Sequence, residues 1–140
     1  ALIRKTDSPE ALKELAVGIT DVVMSYIETE REQKNKGLVE KVKALVDTGF
    51  ADDASLETIA AQVYLSPCYL SVIFKRETGM TFKNYLIQVR IEKSKKLLAD
   101  TDLKIYEVAE KVGYTDTRYF SEIFQRSTGK TPSQYRSLHE

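Results

Sequence analysis

A seventeen-residue stretch occurs twice in this chain. Tyr69-Leu-Ser-Val-Ile-Phe-Lys-Arg-Glu-Thr-Gly-Met-Thr-Phe-Lys-Asn-Tyr85 lies 50 residues before Tyr119-Phe-Ser-Glu-Ile-Phe-Gln-Arg-Ser-Thr-Gly-Lys-Thr-Pro-Ser-Gln-Tyr135, and nine of the seventeen positions are identical. Just upstream, Ile59, Ala60 and Val63 match Val108, Ala109 and Val112 at a separation of 49, so the second copy carries one extra residue in its turn. A repeat of this kind means that one supersecondary unit is used twice. With 140 residues in all, and roughly 100 to 200 residues per domain, a large two-domain enzyme is excluded.

Glycine and proline are scarce, six and three, and apolar residues recur at spacings of three and four, so nearly the whole chain reads as helix. In the first copy Ser55 caps a short helix carrying Leu56, Ile59, Ala60 and Val63; after a tight turn, Ser66 as N-cap and Pro67 at the first position open a second helix that ends at Gly79. In the second copy Ile105, Val108, Ala109 and Val112 form the short helix, Gly113 sits in the turn, and a helix from about Asp116 stops at Gly129. Two helices joined by a tight turn, with a small Ala permitting close approach, make a helix-turn-helix. Tyr64 stands where the second copy has Gly113, so the first turn is expected not to draw on glycine's freedom at positive φ.

In a helix-turn-helix the second helix enters the major groove while the first crosses the backbone. Leu70, Ile73 and Phe74, with their counterparts Phe120, Ile123 and Phe124, share one face of that second helix and belong to the core. The opposite face carries Cys68, Ser71, Val72 and Lys75 in one copy, and Thr117, Arg118, Ser121, Glu122 and Gln125 in the other. Arg118 can grip guanine with two bonds, Val72 can touch a thymine methyl, and Glu122 can accept from cytosine N4.

The chain has 21 basic and 21 acidic residues, so only their distribution informs. Residues 66–100 hold seven basic and three acidic residues, against six and seven in 1–37, two and five in 38–65, and six and six in 101–140. The excess places Lys75, Arg76, Lys83, Arg90 and Lys95 as phosphate contacts, with Lys93 and Lys96 left unassigned. Between the copies runs a helix capped by Thr81 and reaching about Ala99. Phe82, Tyr85, Leu86 and Val89 point one way along it, Ile91 and Leu98 nearly the other, so its first half should pack on the first copy and its second half on the second. Eighteen residues at 1.5 Å span about 27 Å, close to a DNA turn of roughly 34 Å once helix widths are added.

These residues resemble the AraC/XylS transcription regulators. Ile105-Tyr-Glu-Val-Ala-Glu-Lys-Val-Gly-Tyr114, Tyr119-Phe-Ser-Glu-Ile-Phe124, Thr128-Gly129 and Thr131-Pro-Ser-Gln-Tyr-Arg136 look like the second helix-turn-helix of that family. Ser66-Pro67, Tyr69 to Gly79 and Arg90-Ile-Glu-Lys-Ser-Lys-Lys-Leu-Leu98 look like its first unit and linker helix. The resemblance covers about residues 38–140. It implies sequence-specific binding of double-stranded DNA and regulation of transcription, usually activation, with RNA polymerase as a partner. It places base contacts on Cys68, Ser71, Val72, Thr117, Arg118, Ser121 and Glu122; phosphate contacts are expected at Ser66, Tyr69, Lys75, Arg76, Lys83, Arg90, Thr115, Tyr119 and Gln125. Val72 and Glu122 stand where many members carry arginine or another polar reader, so the positions carry over and the base preferences do not.

The segment before residue 37 lies outside this resemblance. Ser8 is a plausible N-cap and Pro9 a first helical residue; Leu12, Leu15, Ile19, Val22 and Tyr26 form a seam that Ala16, Val23 and Ile27 widen. A polar stretch from Glu28 to Lys36 then leads to Gly37, read as a helix exit. This segment is expected to transmit a signal or to dimerise the protein. The all-α architecture is thus an N-terminal amphipathic helix over 1–37, a first helix-turn-helix with its connecting helix over 38–100, and a second over 101–140. Residue 1 is Ala, which suggests a piece of something longer, with a sensor or receiver domain ahead of it.

An enzyme finds little support: one histidine, His139, one cysteine, Cys68, and no P-loop or nucleophile elbow. No cofactor or metal is expected. The lone cysteine and the absence of an apolar run near 20 residues suit a cytoplasmic protein without membrane contact in this stretch. An all-helical protein-interaction module is the competing reading; it leaves the duplicated unit and its basic surface without a purpose.

Overall fold

A computed structural model describes the backbone of residues 9–140 and the side chains of residues 22–140. Among the described residues seven helices follow one another: α1 (Pro9–Gly49), α2 (Leu56–Gln62), α3 (Pro67–Thr78), α4 (Phe82–Asp100), α5 (Ile105–Lys111), α6 (Thr117–Thr128) and α7 (Pro132–Leu138). No strand occurs among the described residues. Internal contacts divide the chain between Gly37 and Leu38.

Gly37 does not end a helix as its position suggested; α1 runs through it to Gly49. Glycine inside a helix costs about 1 kcal/mol relative to alanine. Beyond it Val39, Val42 and Val46, spaced by three and four, are all but fully buried, and at about 1.5 to 3 kcal/mol for each buried side chain their burial outweighs the glycine. Upstream, Ser8 and the side chains of Leu12, Leu15, Ala16 and Ile19 lie outside the described residues. Within 22–37, Val22, Val23, Tyr26 and Ile27 are exposed.

From Leu38 onward two cores form. The first gathers Val42 and Val46 of α1, Ile59 and Ala60 of α2, Leu70, Ile73 and Phe74 of α3, and Phe82 at the start of α4. The second gathers Ile91 and Leu98 of α4, Val108 and Ala109 of α5, Tyr114, and Phe120, Ile123 and Phe124 of α6. Tyr85, Leu86 and Val89 of α4 pack on the first core and Leu97 on the second, so α4 changes the face it buries along its length, as its stripe predicts.

The caps repeat with the sequence. Ser66, Thr81 and Thr131 each accept a backbone N–H through the side-chain oxygen at the start of α3, α4 and α7. Gly79 and Gly129 close α3 and α6 in the left-handed conformation, at φ 79° and 81°, where a residue with a Cβ is strained. Thr78 and Thr128 clamp these exits, each donating to a carbonyl four residues back, Phe74 O at 2.7 Å and Phe124 O at 2.8 Å. Ser55 opens α2 in a network with Asp53 and Thr58. The hydrogen bond from Thr58, then those from Ser55, hold the Asp53 carboxyl below its usual range.

The first turn departs from expectation. Tyr64 takes positive φ, 59°, as Gly113 does at 102°, although Tyr64 has a Cβ. The backbone explains this: Leu65 N–H donates to Ala60 O and Tyr114 N–H to Ala109 O, both at 2.9 Å, so both turns close the same ring and the residue before the donor must turn left-handed. The side chain of Tyr64 meets no crowding because it is 92% exposed.

Candidate nucleic-acid interface

Helices α3 and α6 are the second helices of the two repeats. Each buries Leu70, Ile73, Phe74 or Phe120, Ile123, Phe124, and the remaining circumference faces outward. On α3 Cys68, Tyr69, Val72, Lys75 and Arg76 are exposed and Ser71 is half-buried; on α6 Arg118, Tyr119, Glu122, Gln125 and Arg126 are exposed, with Thr117 and Ser121 half-buried. The side chains expected to read bases therefore share the outward face of their helix, and Thr115 is exposed just ahead of α6.

The start of α6 is held firmly. Asp116 Oδ1 accepts from the backbone N–H of Arg118 at 3.0 Å and of Tyr119 at 3.2 Å. That fixes the backbone beneath Arg118 while its side chain stays 91% exposed, 3.8 Å from the Glu122 carboxylate one turn on. An exposed pair at this spacing is worth only about 0.3 to 0.5 kcal/mol, so it orients the guanidinium without locking it. A forked donor and a carboxylate acceptor side by side match guanine O6/N7 and cytosine N4. On α3 the Ser66 oxygen accepts from Tyr69 N–H at 3.2 Å; its own O–H remains a donor for a phosphate oxygen.

The expected phosphate contacts separate into two groups. Lys75, Arg76 and Lys83 project into solvent. Arg90 is corrected to a part of the fold: its Nε donates to Phe50 O at 2.8 Å and one terminal nitrogen to Asp52 O at 3.4 Å, with the guanidinium 5.0 Å from the centre of the Tyr114 ring. A cation there satisfies carbonyls just past the end of α1 and stacks on an aromatic face, two favourable placements for arginine. Lys95 is paired with Glu92 at 3.0 Å, and Lys93 lies over the Phe50 ring at 5.8 Å. Arg136 repeats the Arg90 arrangement on α4, donating to Leu98 O at 3.1 Å and Thr101 O at 3.4 Å.

Tyr114 lies beneath the start of α6, edge-on to Tyr119 at 5.9 Å. Its hydroxyl is buried without a hydrogen-bond partner. Burial pushes the phenol up, and the charge of Arg90 pulls the other way without cancelling it. Gly113 beside it could not be otherwise: a Cβ would stand 2.9 Å from Phe50 O and 3.0 Å from the Arg90 guanidinium.

Two clefts flank the N-terminal half of α4. One, about 270 Å³, is bordered by Ser55, Leu56, Ser71, Phe82 and Lys83; the other, about 230 Å³, by Lys83, Asn84, Tyr119, Ile123, Arg126 and Ser127. Lys83 borders both, so the two clefts adjoin at the start of α4, one reaching Ser71 of α3 and the other Tyr119 and Arg126 of α6. Arg126 and Asn84 were not among the expected contacts; Arg126 falls three residues after Ile123, on the stripe between core and reading face. No cluster of three or more His, Cys, Asp or Glu able to hold a metal occurs among the described residues, and no helix there is long and apolar enough to cross a membrane.

Two helix-turn-helix units on one connecting helix, each with an exposed outer face on its second helix, define a two-headed DNA-binding module of the transcription-regulator class. A family model described as a helix-turn-helix domain matches residues 59–137. The Msm operon regulatory protein of Streptococcus mutans is 34% identical over 127 residues, 91% of this chain and 45% of that protein. The C-terminal domain of AraT, a response regulator from Geobacillus stearothermophilus, superposes with a TM-score of 0.70 at 38% identity, over 72% of this chain and 84% of that one. The DNA-binding domain of AdpA, a global transcriptional factor in complex with a target DNA, gives 0.69 at 27% identity, over 72% and 91%. The chain belongs to the AraC-type family of helix-turn-helix transcription regulators. It spans 45% of the length of the Msm regulator and between 15% and 63% of the other curated relatives it is compared with.

Proposed function

We propose that this chain binds double-stranded DNA sequence-specifically by seating α3 and α6 in successive major-groove segments, and that it activates transcription through RNA polymerase. The observation that carries the reading is the duplicated helix-turn-helix itself: α3 and α6 both pack on α4, and each buries one face and exposes side chains on the other. Cys68, Ser71 and Val72 read bases from α3, and Thr117, Arg118, Ser121 and Glu122 from α6. Ser66, Tyr69, Lys75, Arg76, Lys83, Thr115, Tyr119 and Gln125 serve the phosphates, while Arg90 serves the fold. The exposed side chains of Val22, Val23, Tyr26 and Ile27 suit a second copy of the helix or a sensor or receiver domain ahead of it, and the regulator works in the cytoplasm. Selecting bound duplexes from a random pool and footprinting the winners tests the reading. Two protected segments about 10 to 10.5 base pairs apart are expected; a single protected segment, or no enrichment, overturns it.

A further inference from the structure

The geometry points to a phosphodiester-binding site in the cleft between α4 and α6, built for the DNA backbone that runs between the two major-groove segments. The inference rests on the reading just given, which assigns Lys83 and Tyr119 to the phosphates, and goes beyond it by adding Arg126, Asn84 and Ser127 and joining all five in one cleft.

The cleft holds about 230 Å³, room for a phosphate group with its bound water. Lys83 stands on the α4 side and Arg126 on the α6 side, with Asn84, Tyr119 and Ser127 supplying further donors and Ile123 the floor. No carboxylate borders it, and neither Lys83 nor Arg126 has a carboxylate partner among the described residues. Two unneutralised cations facing each other across a concave surface repel until an anion enters. Arginine supplies a fork that matches two phosphate oxygens, lysine a mobile point charge, and the amide and hydroxyls neutral donors.

Position selects the anion. Because Lys83 also borders the cleft that reaches Ser71 of α3, the site lies between the two reading faces. A duplex contacted by both must carry its backbone across that interval, where it borders the intervening minor groove. Away from the heads the cleft continues into a second one lined by Glu92 and Lys95, whose charges are already paired at 3.0 Å. Positive potential is therefore confined to the end where the strand would pass.

The test uses the 140-residue chain and a duplex recovered from a randomised pool. Arg126→Ala and Lys83→Ala should each flatten the dependence of log affinity on log salt by about 1 while preserving the ratio of selected to random DNA affinity. Independently, neutral methylphosphonates placed singly between the two protected segments should weaken the wild type at one or two positions, and those positions should have no further effect on Arg126→Ala. An unchanged salt slope for Arg126→Ala with paired protection intact, or indifference of the wild type to every spacer methylphosphonate, overturns the site alone. Failure of the wild type to protect two segments overturns the two-headed reading and the site with it.

Discussion

Gly113→Ala is the sharpest test of how the second turn is built. Gly113 has φ 102°, and a Cβ there would meet Phe50 O at 2.9 Å and the Arg90 guanidinium at 3.0 Å. A left-handed backbone costs an L-residue about 1 to 2 kcal/mol, and forcing a methyl into packed surroundings adds about 1 to 3 kcal/mol. Stiffening the unfolded chain returns about 0.4 to 1 kcal/mol, leaving a net loss of about 2 to 4 kcal/mol. Gly129→Ala supplies the control, because Gly129 has φ 81° and nothing within 4 Å of the added methyl. It should lose only about 1 kcal/mol, the left-handed cost less the unfolded-state gain. Urea unfolding followed by circular dichroism gives both values, with the slope required to stay constant. Equal losses in the two variants would refute the crowding by Phe50 and Arg90.

Arg90→Ala should destabilise the fold by about 2 to 3 kcal/mol, from a charge-assisted hydrogen bond and a cation–π contact, and Arg90→Lys should recover less than half because lysine lacks the fork; full recovery by lysine in urea unfolding would argue against the bidentate role. Arg118→Ala should cost about 1 to 3 kcal/mol on the selected duplex and relax one base position, whereas Lys75→Ala should weaken all sequences alike; fluorescence anisotropy with selected and random duplexes separates them. Burial, then the charge of Asp47, pushes the Tyr85 phenol up to about 12 from 10, so the folded state favours the protonated form. That contribution is fully present below pH 10 and is lost as pH rises through 12. Tyr85→Phe should therefore lose less stability than the wild type across that window, and parallel unfolding midpoints for the two would count against it.

Much of the architecture is legible because its signals are local. Ser55, Ser66, Thr81, Gly79 and Gly129 are caps whose chemistry acts within a turn or so, and the repeat shows three of these positions twice, Ser66 with Asp116, Thr81 with Thr131 and Gly79 with Gly129, whereas Lys104, the counterpart of Ser55, makes no side-chain cap. What escaped depends on distance along the chain. Nothing near Gly37 says that Val39, Val42 and Val46 will be buried, so a helix that tertiary packing sustains looks as though it should end. The left-handed turn at Tyr64 follows from a ring closed by Leu65 and Ala60, which a tyrosine tolerates only because its side chain points into solvent. Arg90 looks like any basic residue on a basic helix; its partners Phe50 and Asp52 lie about 40 residues earlier. Arg126 was hidden differently, since its neighbours on α6 are read as core or as reading face and its cleft exists only once α4 is laid alongside. The capping box of Thr131 and Gln134 that opens α7, at 3.0 and 3.2 Å, went unread in Thr-Pro-Ser-Gln, although Thr followed three residues on by Gln is a local signal.

The two reading faces are built on one scaffold yet carry different side chains: a thiol, a hydroxyl and an isopropyl on α3, a guanidinium and a carboxylate on α6. On the proposed reading, the target of such a pair is asymmetric rather than its own reverse complement. Inverting the target in a promoter would turn the bound unit, residues 38–140, end for end along the DNA.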